Sequence, residues 1–552
     1  MSLPLRGIIE GFYGAPWSHR ERLDLLAFCG RHELNTFVYA PKDDPYHRES
    51  WREPYPPAEL ARLAELVAEA ERHGVAFHWS LAPGLDVCHS SDRDFERLVA
   101  KAEQLWSVGV RAFHLLYDDI GDELHCDRDR ERFGGEASPS AAAQAFLSNR
   151  FRRAFLESRP EAERLVVCPI EYHGTHTSPY RETLGAQLDA DVLLWWTGPE
   201  VVSKTISRAD AEAARAAFGG HELLLWDNYP VNDFEPSRLF LGPLVGREPG
   251  LDLAGAVANG MIQAAPGKLA FATFADWTRD PDGYDPGASY GAALRSVGGE
   301  AAGALRVLAD ASRSGPLGGE DALAEPAALA AAADELEARL DDAWFLDAAA
   351  PWIETLRAVA AGNARRRYHR LAPGLVDAAP DFDFGGVRTV ASPERAEDLR
   401  ESAEPLLAWG GLVELGLAEG AGHVFLDEAL TIEEPGHPLA AGRSGVVRIY
   451  RGPGRLRFGR GVPAEATVVA TGGTPPRPVL FAVEAGAELC GGGVAPARRV
   501  GIFLPPDGVE PWLVAPTGEA LVRAAVDWLK SGVDSAEPPK SGGAEVSAPK
   551  RK

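Results

Sequence analysis

Between Arg6 and Trp277 short apolar, β-branched or aromatic runs alternate with loops and amphipathic stretches. The runs predict strands over residues 7–13, 36–40, 75–81, 112–117, 165–170, 192–196, 223–226 and 269–274. The intervening segments carry helical spacing, as in 57–73 and 92–108. In the second of these, Phe95, Leu98, Val99, Ala102, Leu105 and Trp106 share one face and Gly109 ends the pattern. Eight strand-then-helix units over about 270 residues match a (β/α)₈ TIM barrel, an α/β fold. A doubly wound open sheet is the alternative that periodicity leaves standing.

After Trp277 the pattern changes twice. An Ala-rich region over 290–375 has helical spacing, including 327–340 and 352–369, and predicts a helical domain. From 381 to 530 short β-like runs (424–426, 446–450, 467–470, 479–483, 500–504) are separated by Gly/Pro turns and closed by a helix over 517–530. That region predicts a smaller C-terminal α/β domain of unknown role. It faintly resembles the later half of glutamine-amidotransferase-like domains that occur as non-catalytic appendages. The expected organisation is a barrel over 1–289, helices over 290–375, the small domain over 381–530 and a tail over 531–552. The tail is rich in Ser, Pro, Gly, Ala and Lys, too poor in apolar residues to offset its ordering entropy, and is expected to be disordered.

Charge narrows the partners. With 56 Lys+Arg against 81 Asp+Glu the formal charge is −25, which opposes binding to nucleic acid or anionic lipid and suits a neutral ligand in an acidic cleft. The five cysteines, Cys29, Cys88, Cys126, Cys168 and Cys490, are scattered without a C-x-x-C pair and read as reduced thiols rather than a disulfide framework or zinc site. The first residues lack an apolar signal core and no stretch has the length of a membrane span, so the expected location is cytoplasmic. Nothing in the sequence bears on oligomeric state.

In a barrel the site lies where strands enter their following loops. Glu10 and Gly11, Lys42, Asp86, Asp118 and Asp119, Tyr172, and Asp227 and Asn228 fall at such ends. The pair Asp118-Asp119 closes the apolar run Phe113 to Tyr117. Adjacent strand residues point to opposite faces, so both carboxylates reach one cleft only if the chain turns there. Two carboxylates in unlike environments suit glycoside hydrolysis, where one delivers a proton and the other stays charged beside a developing cation. An Asp-Asp pair that merely caps a turn is the plainer reading.

Longer segments add specificity. Gly7-Ile-Ile-Glu-Gly-Phe-Tyr-Gly-Ala-Pro-Trp17, Glu33-Leu-Asn-Thr-Phe-Val-Tyr-Ala-Pro-Lys-Asp-Asp44, Leu116-Tyr-Asp-Asp-Ile120 and Cys168-Pro-Ile-Glu-Tyr172 come first. Trp196-Thr-Gly-Pro199, Trp226-Asp-Asn228, Asn232-Asp233 and Arg238-Leu-Phe-Leu-Gly-Pro243 follow in order. Together they span residues 6–277 and resemble glycoside hydrolase family 84, the family of protein O-GlcNAcases and bacterial β-N-acetylglucosaminidases once called hyaluronidases.

The resemblance implies a retaining exo-β-N-acetylglucosaminidase. Its substrate's 2-acetamido oxygen attacks the anomeric carbon to form an oxazoline, so no enzyme nucleophile and no cofactor or metal is expected. It further implies that Asp118 orients the acetamido N–H, while Asp119 protonates the glycosidic oxygen and then deprotonates water. Asp119 is therefore expected to have a raised pKa, through partial burial and the neighbouring Asp118. Tyr172 and Asn228 match residues that bond the acetamido group or its carboxylate partner, and Trp226 would wall the N-acetyl pocket. Asp233, Lys42, Asn259 and the Gly11 carbonyl would hold sugar hydroxyls. Lys42 as a solvated loop cation and Asn259 as an ordinary turn residue are the plainer readings.

The implied partner is a GlcNAc-bearing glycoprotein or small glycoconjugate. A catalytically silent GlcNAc-binding relative, or an enzyme acting on hyaluronan or cell-wall fragments, are the alternatives. His173 and His176 beside Glu171 have a metal-like spacing but lie in an expected loop. Asp280 to Asp285 lacks the ligand spacing of a calcium loop, and the glycines of 452–461 lack a phosphate-loop lysine. Cys490, among glycines, has no nucleophile context.

Overall fold

The computed structural model describes residues 2–236, 238–361, 387–390, 396, 399–408, 412–425, 429–450, 455–473, 476–504 and 516–531. The chain forms two compact units, Met1–Ala379 and Pro380–Lys552.

The first unit is a closed barrel of eight parallel strands. They are β1 Leu5–Glu10, β2 Thr36–Tyr39, β3 Ala76–Leu81, β4 Ala112–Leu116, β5 Val166–Cys168, β6 Leu193–Trp196, β7 Leu223–Asp227 and β8 Gly255–Asn259. Each pairs with the next, and β8 returns to β1 with Leu5 opposite Gly255 and Ile9 opposite Asn259. Strand periodicity sorts the side chains. Ile9, Val38, Leu116, Val166, Leu224 and Val257 pack inside the barrel. Their neighbours Ile8, Phe37, Leu115, Val167, Leu225 and Ala258 pack outward against helices.

Those helices are α1 His19–Arg31, α2 Pro57–Arg72, α3 Asp92–Ser107, α4 Asp127–Phe133, α5 Pro139–Phe151, α6 Pro179–Gln187, α7 Arg208–Ala217 and α8 Ala264–Arg279. Ser18 caps α1 through a capping box with Glu21, and Ser207 caps α7 with Asp210. Among the described residues no helix joins β7 to β8.

The eighth strand corrects the sequence reading. Residues 269–274 are not a strand but the middle of α8. All of α8 except Asp276 and Arg279 is buried, because it lies between β1 and β8 on one side and α1, α9 (Pro286–Gly298) and α12 (Ala343–Ala360) on others. A helix buried all round loses its 3.6-residue pattern and imitates a strand. The true β8, Gly-Ala-Val-Ala-Asn, is too short and small-sided to announce itself.

Beyond α9 come α10 Ala302–Asp310, α11 Pro326–Arg339 and α12, whose Leu305, Leu329, Phe345 and Trp352 join the same apolar core as the outer barrel face. The end of the helix expected over 352–369 lies outside the described residues.

In the second unit a seven-stranded mixed sheet and a two-stranded antiparallel sheet precede a helix, Pro516–Ser531. Leu480, Val500, Leu521 and Leu529 belong to its main core. The expected disordered tail lies, after Ser531, outside the described residues.

A second correction concerns the thiols. Cys88, in the loop after β3, is disulfide-bonded to Cys126, the N-cap of α4, while Cys29, Cys168 and Cys490 are free. Neighbouring sequence carries no trace of a pair that only the barrel brings together. The thiol argument for a reducing compartment falls with it. Among the described residues no helix is long and apolar enough to cross a membrane.

Two predictions follow from burial. Desolvation pushes the His47 ring down to about 3, and desolvation with the adjacent His78 holds His114 well below the ordinary histidine range. Both rings are neutral when folded, whereas in the unfolded chain they gain protons below about pH 6.5. Stability is therefore full above that pH and falls as pH drops, by up to about 1.4 kcal/mol per pH unit per ring. Denaturant melts from pH 7 to 5 should show a shallower slope in His114→Gln than in wild type; equal slopes refute the assignment. Unfolded, unreduced protein should titrate three thiols, and five after reduction. The bond closes a 38-residue separation, and its reduction should cost about 2–4 kcal/mol in a denaturant melt.

Candidate active site

The sequence-predicted residues converge on the mouth formed by the strand C-termini. Gly11 follows β1, Lys42 follows β2, and Asp118 and Asp119 follow β4. Tyr172 follows β5, Trp226 is the penultimate residue of β7, and Asn228 comes just after it. Asp233 lies in the β7–β8 loop, and Asn259 ends β8.

β4 stops at Leu116, and Asp119 takes a left-handed backbone with φ of 55°. That is the turn an adjacent carboxylate pair needs. Asp118 is buried, and its Oδ2 accepts an ion-paired hydrogen bond from Lys42 Nζ, itself almost wholly buried. Asp118 Oδ1 is also buried but has no hydrogen-bond partner. Asp119 is exposed toward the mouth, where the Tyr172 hydroxyl donates to its Oδ1 at 2.8 Å and the Tyr13 hydroxyl to its Oδ2 at 2.9 Å. Burial, reinforced by the nearby Asp119 charge, holds the Tyr172 hydroxyl well above the ordinary phenol range, so it remains a donor. For Tyr13 burial again comes first, opposed by Arg48 and reinforced by both aspartates, and the direction is the same.

A chain of amides fixes the opposite wall. The Gly11 N–H donates to Asn259 Oδ1 at 3.1 Å, Asn259 Nδ2 to Asn228 Oδ1 at 2.9 Å, and Asn228 Nδ2 to the Val201 carbonyl at 2.7 Å. The chain assigns each amide its orientation. Trp226 packs edge-on against Trp195, with Lys42 Nζ 5.5 Å from its ring centre, and its indole N–H is buried without a partner. Asp233 Oδ2 accepts the Tyr13 N–H at 2.8 Å. Burial raises the Asp233 carboxyl above the usual range, against that bond and with help from the Asp119 charge.

Other strand-end polar residues are structural. Glu10, fully buried, receives two bonds from Arg22 and one from the Trp17 N–H. Asp227 is held by Arg247, and Asp86 by Trp51 and Arg52. Among the described residues the one grouping of possible metal-ligand atoms is Cys88, Cys126 and Asp129, and its two sulfurs are bonded to each other; His173, His176 and Glu171 form none. Asp280 caps a turn through the Gly283 N–H.

The sequence reading assigned Tyr13 and Arg48 no role. Tyr13 sat inside a segment already read for Gly11, and Arg48 lies in a charged loop. Only the fold shows that both touch Asp119.

Comparison with known proteins finds relatives of the barrel. Residues 6–310 match the family model described as beta-N-acetylglucosaminidase. Protein O-GlcNAcases of Rattus norvegicus and Mus musculus are 37% identical over 281 residues, which is 50% of this chain but 30% of each of theirs. The chain thus spans under a third of the length of these relatives. Among solved structures, CpGH84B is similar with a TM-score of 0.59 and 28% identity, covering 66% of this chain and 68% of that one. A mutant O-GlcNAc hydrolase of Thermobaculum terrenum gives 0.58 and 30%, covering 65% and 82%.

Gly11 supplies a direct test of the geometry. A Cβ there would lie 2.2 Å from the Trp226 ring, so Gly11→Ala should displace the indole. We expect altered tryptophan fluorescence and a loss of about 1–3 kcal/mol in a denaturant melt; an unchanged spectrum and stability contradict the close approach.

Proposed function

The chain belongs to the beta-N-acetylglucosaminidase family, and from that premise we propose that it is a retaining exo-β-N-acetylglucosaminidase using substrate-assisted catalysis. The observation that carries the reading is Asp118: a buried carboxylate with one oxygen taken by Lys42 and the other without a donor. An acetamido N–H is the neutral donor that such an oxygen accepts. The apolar faces of Trp226 and Trp195 suit the acetyl methyl beside it.

In the first step the acetamido oxygen attacks the anomeric carbon as the glycosidic bond breaks. Asp119 gives a proton to the departing oxygen, and Asp118 accepts the N–H of the positively charged oxazoline. In the second, Asp119 takes a proton from water, whose oxygen attacks the same carbon, opens the ring and restores the original configuration. Both Asp119 oxygens start with tyrosine donors, so one O–H must rotate away from the carboxylate, its ring staying in place, for the proton to pass. Tyr13, the more exposed, is the one free to do so. The amide chain through Asn259 and Asn228 keeps the remaining N–H groups and the Gly11 carbonyl aimed at sugar hydroxyls, with Asp233 beside them and Lys42 supplying the countercharge. No step calls on a cofactor or metal.

The aglycone reading rests on the rim. Leu85, Val201, Phe234 and Tyr13 are exposed in loops after β3, β6, β7 and β1, at the strand C-terminal end of the barrel where Asp119 also lies. Exposed apolar side chains on that face suit a polypeptide carrying GlcNAc on Ser or Thr.

The test compares wild type, Asp118→Asn and Asp119→Asn on aryl β-N-acetylglucosaminides. Asp118→Asn should lose about 10²–10⁴-fold in kcat/KM on every substrate, whereas Asp119→Asn should lose that much in kcat/KM only where the leaving group needs a proton. A wild type that binds GlcNAc without hydrolysing it is a binding protein. Faster cleavage of a chitin or hyaluronan fragment than of a GlcNAc-modified peptide overturns the aglycone.

A further inference from the structure

Asp119 is one of three non-glycine residues with positive φ among the described residues; of the others, Glu33 lies in the turn between α1 and β2 and Ala441 belongs to the second unit. Asp enters that region more readily than most L-residues, but at an energetic cost, so a contact on the adjoining peptide group helps to keep the turn.

One side chain meets this turn directly. Arg48, in the loop after β2, is nine-tenths buried, and its Nη2 donates to the Asp119 backbone carbonyl at 3.2 Å. Its guanidinium carbon lies 5.7 Å from the centre of the Tyr13 ring, and the Tyr13 hydroxyl donates to Asp119 Oδ2. Arg48 thus reaches Asp119 by two routes, at the carbonyl and through the tyrosine that holds the carboxylate. Its Nη1 is buried with no partner, so the pair with Asp119 is not one strand of a wider ion-pair network that would explain its burial otherwise. Asp118 is anchored separately, by Lys42.

We propose that Arg48 is a positioning residue for the proton-transferring carboxylate: it holds the Asp119 turn and the Tyr13 ring so that Asp119 faces the leaving group. The inference rests on the role proposed above for Asp119. Arginine suits the task because its fork gives one N–H to the carbonyl while its charge stays within cation–π range of the ring, a combination that lysine's single ammonium does not reproduce.

The experiment takes the full chain as wild type, Asp119→Asn, Arg48→Gln and Arg48→Lys, with dinitrophenyl and phenyl β-N-acetylglucosaminides and a thiazoline inhibitor. Asp119→Asn sets the benchmark. Arg48→Gln should lose about 10²-fold in kcat/KM on the phenyl glycoside and less than about threefold on the dinitrophenyl one, whose bond cleavage needs no acid. Arg48→Lys should lose about tenfold on the phenyl glycoside. Thiazoline affinity and KM should hold in both, and the pH limb of kcat on the phenyl glycoside should move. An even loss on both glycosides, a change confined to KM, or no change in either variant overturns the proposal. Should Arg48→Gln fail to fold by circular dichroism, Arg48→Lys decides by the same ratio. A wild type inert on both glycosides instead refutes the proposed function, which separates the two failures.

Discussion

Closure of the ring between β1 and β8 is the constraint from which the rest of the first unit follows. β1 must pair on both edges, and at one position on each edge the backbones approach so closely that a side chain is not tolerated. A Cβ on Gly7 would lie 2.1 Å from the Thr36 carbonyl oxygen, and one on Gly255 would lie 2.5 Å from that of Leu5. With the seam closed, the residues just past β1, β7 and β8 are forced together. Gly11 meets Trp226 and Asn259 because the strands carrying them are neighbours in a ring, although 248 positions separate Gly11 from Asn259 in the chain. An open sheet would leave β1 and β8 at different places, and neither the amide chain nor the wall opposite Asp118 would exist.

Seven strands were legible in the sequence because one face of each packs inside the barrel and the other against helices, a burial that writes continuous apolar runs. The eighth was not, since the helix after it is more apolar than the strand itself. The consequence for the site is instructive. Asn259 looked like a residue in an ordinary turn while strand eight was placed over 269–274, yet it is the last residue of the strand that closes the barrel, Gly255–Asn259. Its neighbours Asn228 and Gly11 were legible from their motifs. What no motif carried was the network: that Asn228 and Asn259 share a hydrogen bond, that Lys42 pairs with Asp118, and that Cys88 meets Cys126. Such pairings depend on distances between loops, and composition does not encode them.

The second unit shows the same limit from another side. Its runs at 446–450, 467–470, 479–483 and 500–504 correspond to strands Gly445–Arg448, Thr467–Gly472, Arg477–Val483 and Arg499–Gly501. Four strands escaped: Arg388–Val390 and Leu406–Ala408, too short for alternation to register, and Ala429–Ile432 and Arg455–Arg460. Knowing the strands still left the order of the sheet open, because the order mixes parallel and antiparallel neighbours drawn from distant parts of the chain.

Two identical side chains, adjacent in sequence, differ in the candidate site only through the backbone between them. Asp118 continues the inward direction of β4 and meets a full opposite charge, Lys42, in a place closed to water. Asp119, turned by its left-handed backbone, faces the mouth and is held by two hydroxyls, which are dipoles free to rotate. An ion pair between buried groups is costly to break, since each partner would be left as an unpaired charge. A hydroxyl can exchange one acceptor for another at little cost, provided a substrate oxygen replaces the one it leaves. The permanent partner therefore sits beside the carboxylate that has only to stay in place, and the exchangeable partners sit beside the one that has to give and take a proton. That division follows from a single φ angle, which makes whatever holds the Asp119 peptide part of the chemistry even though it touches no reacting atom.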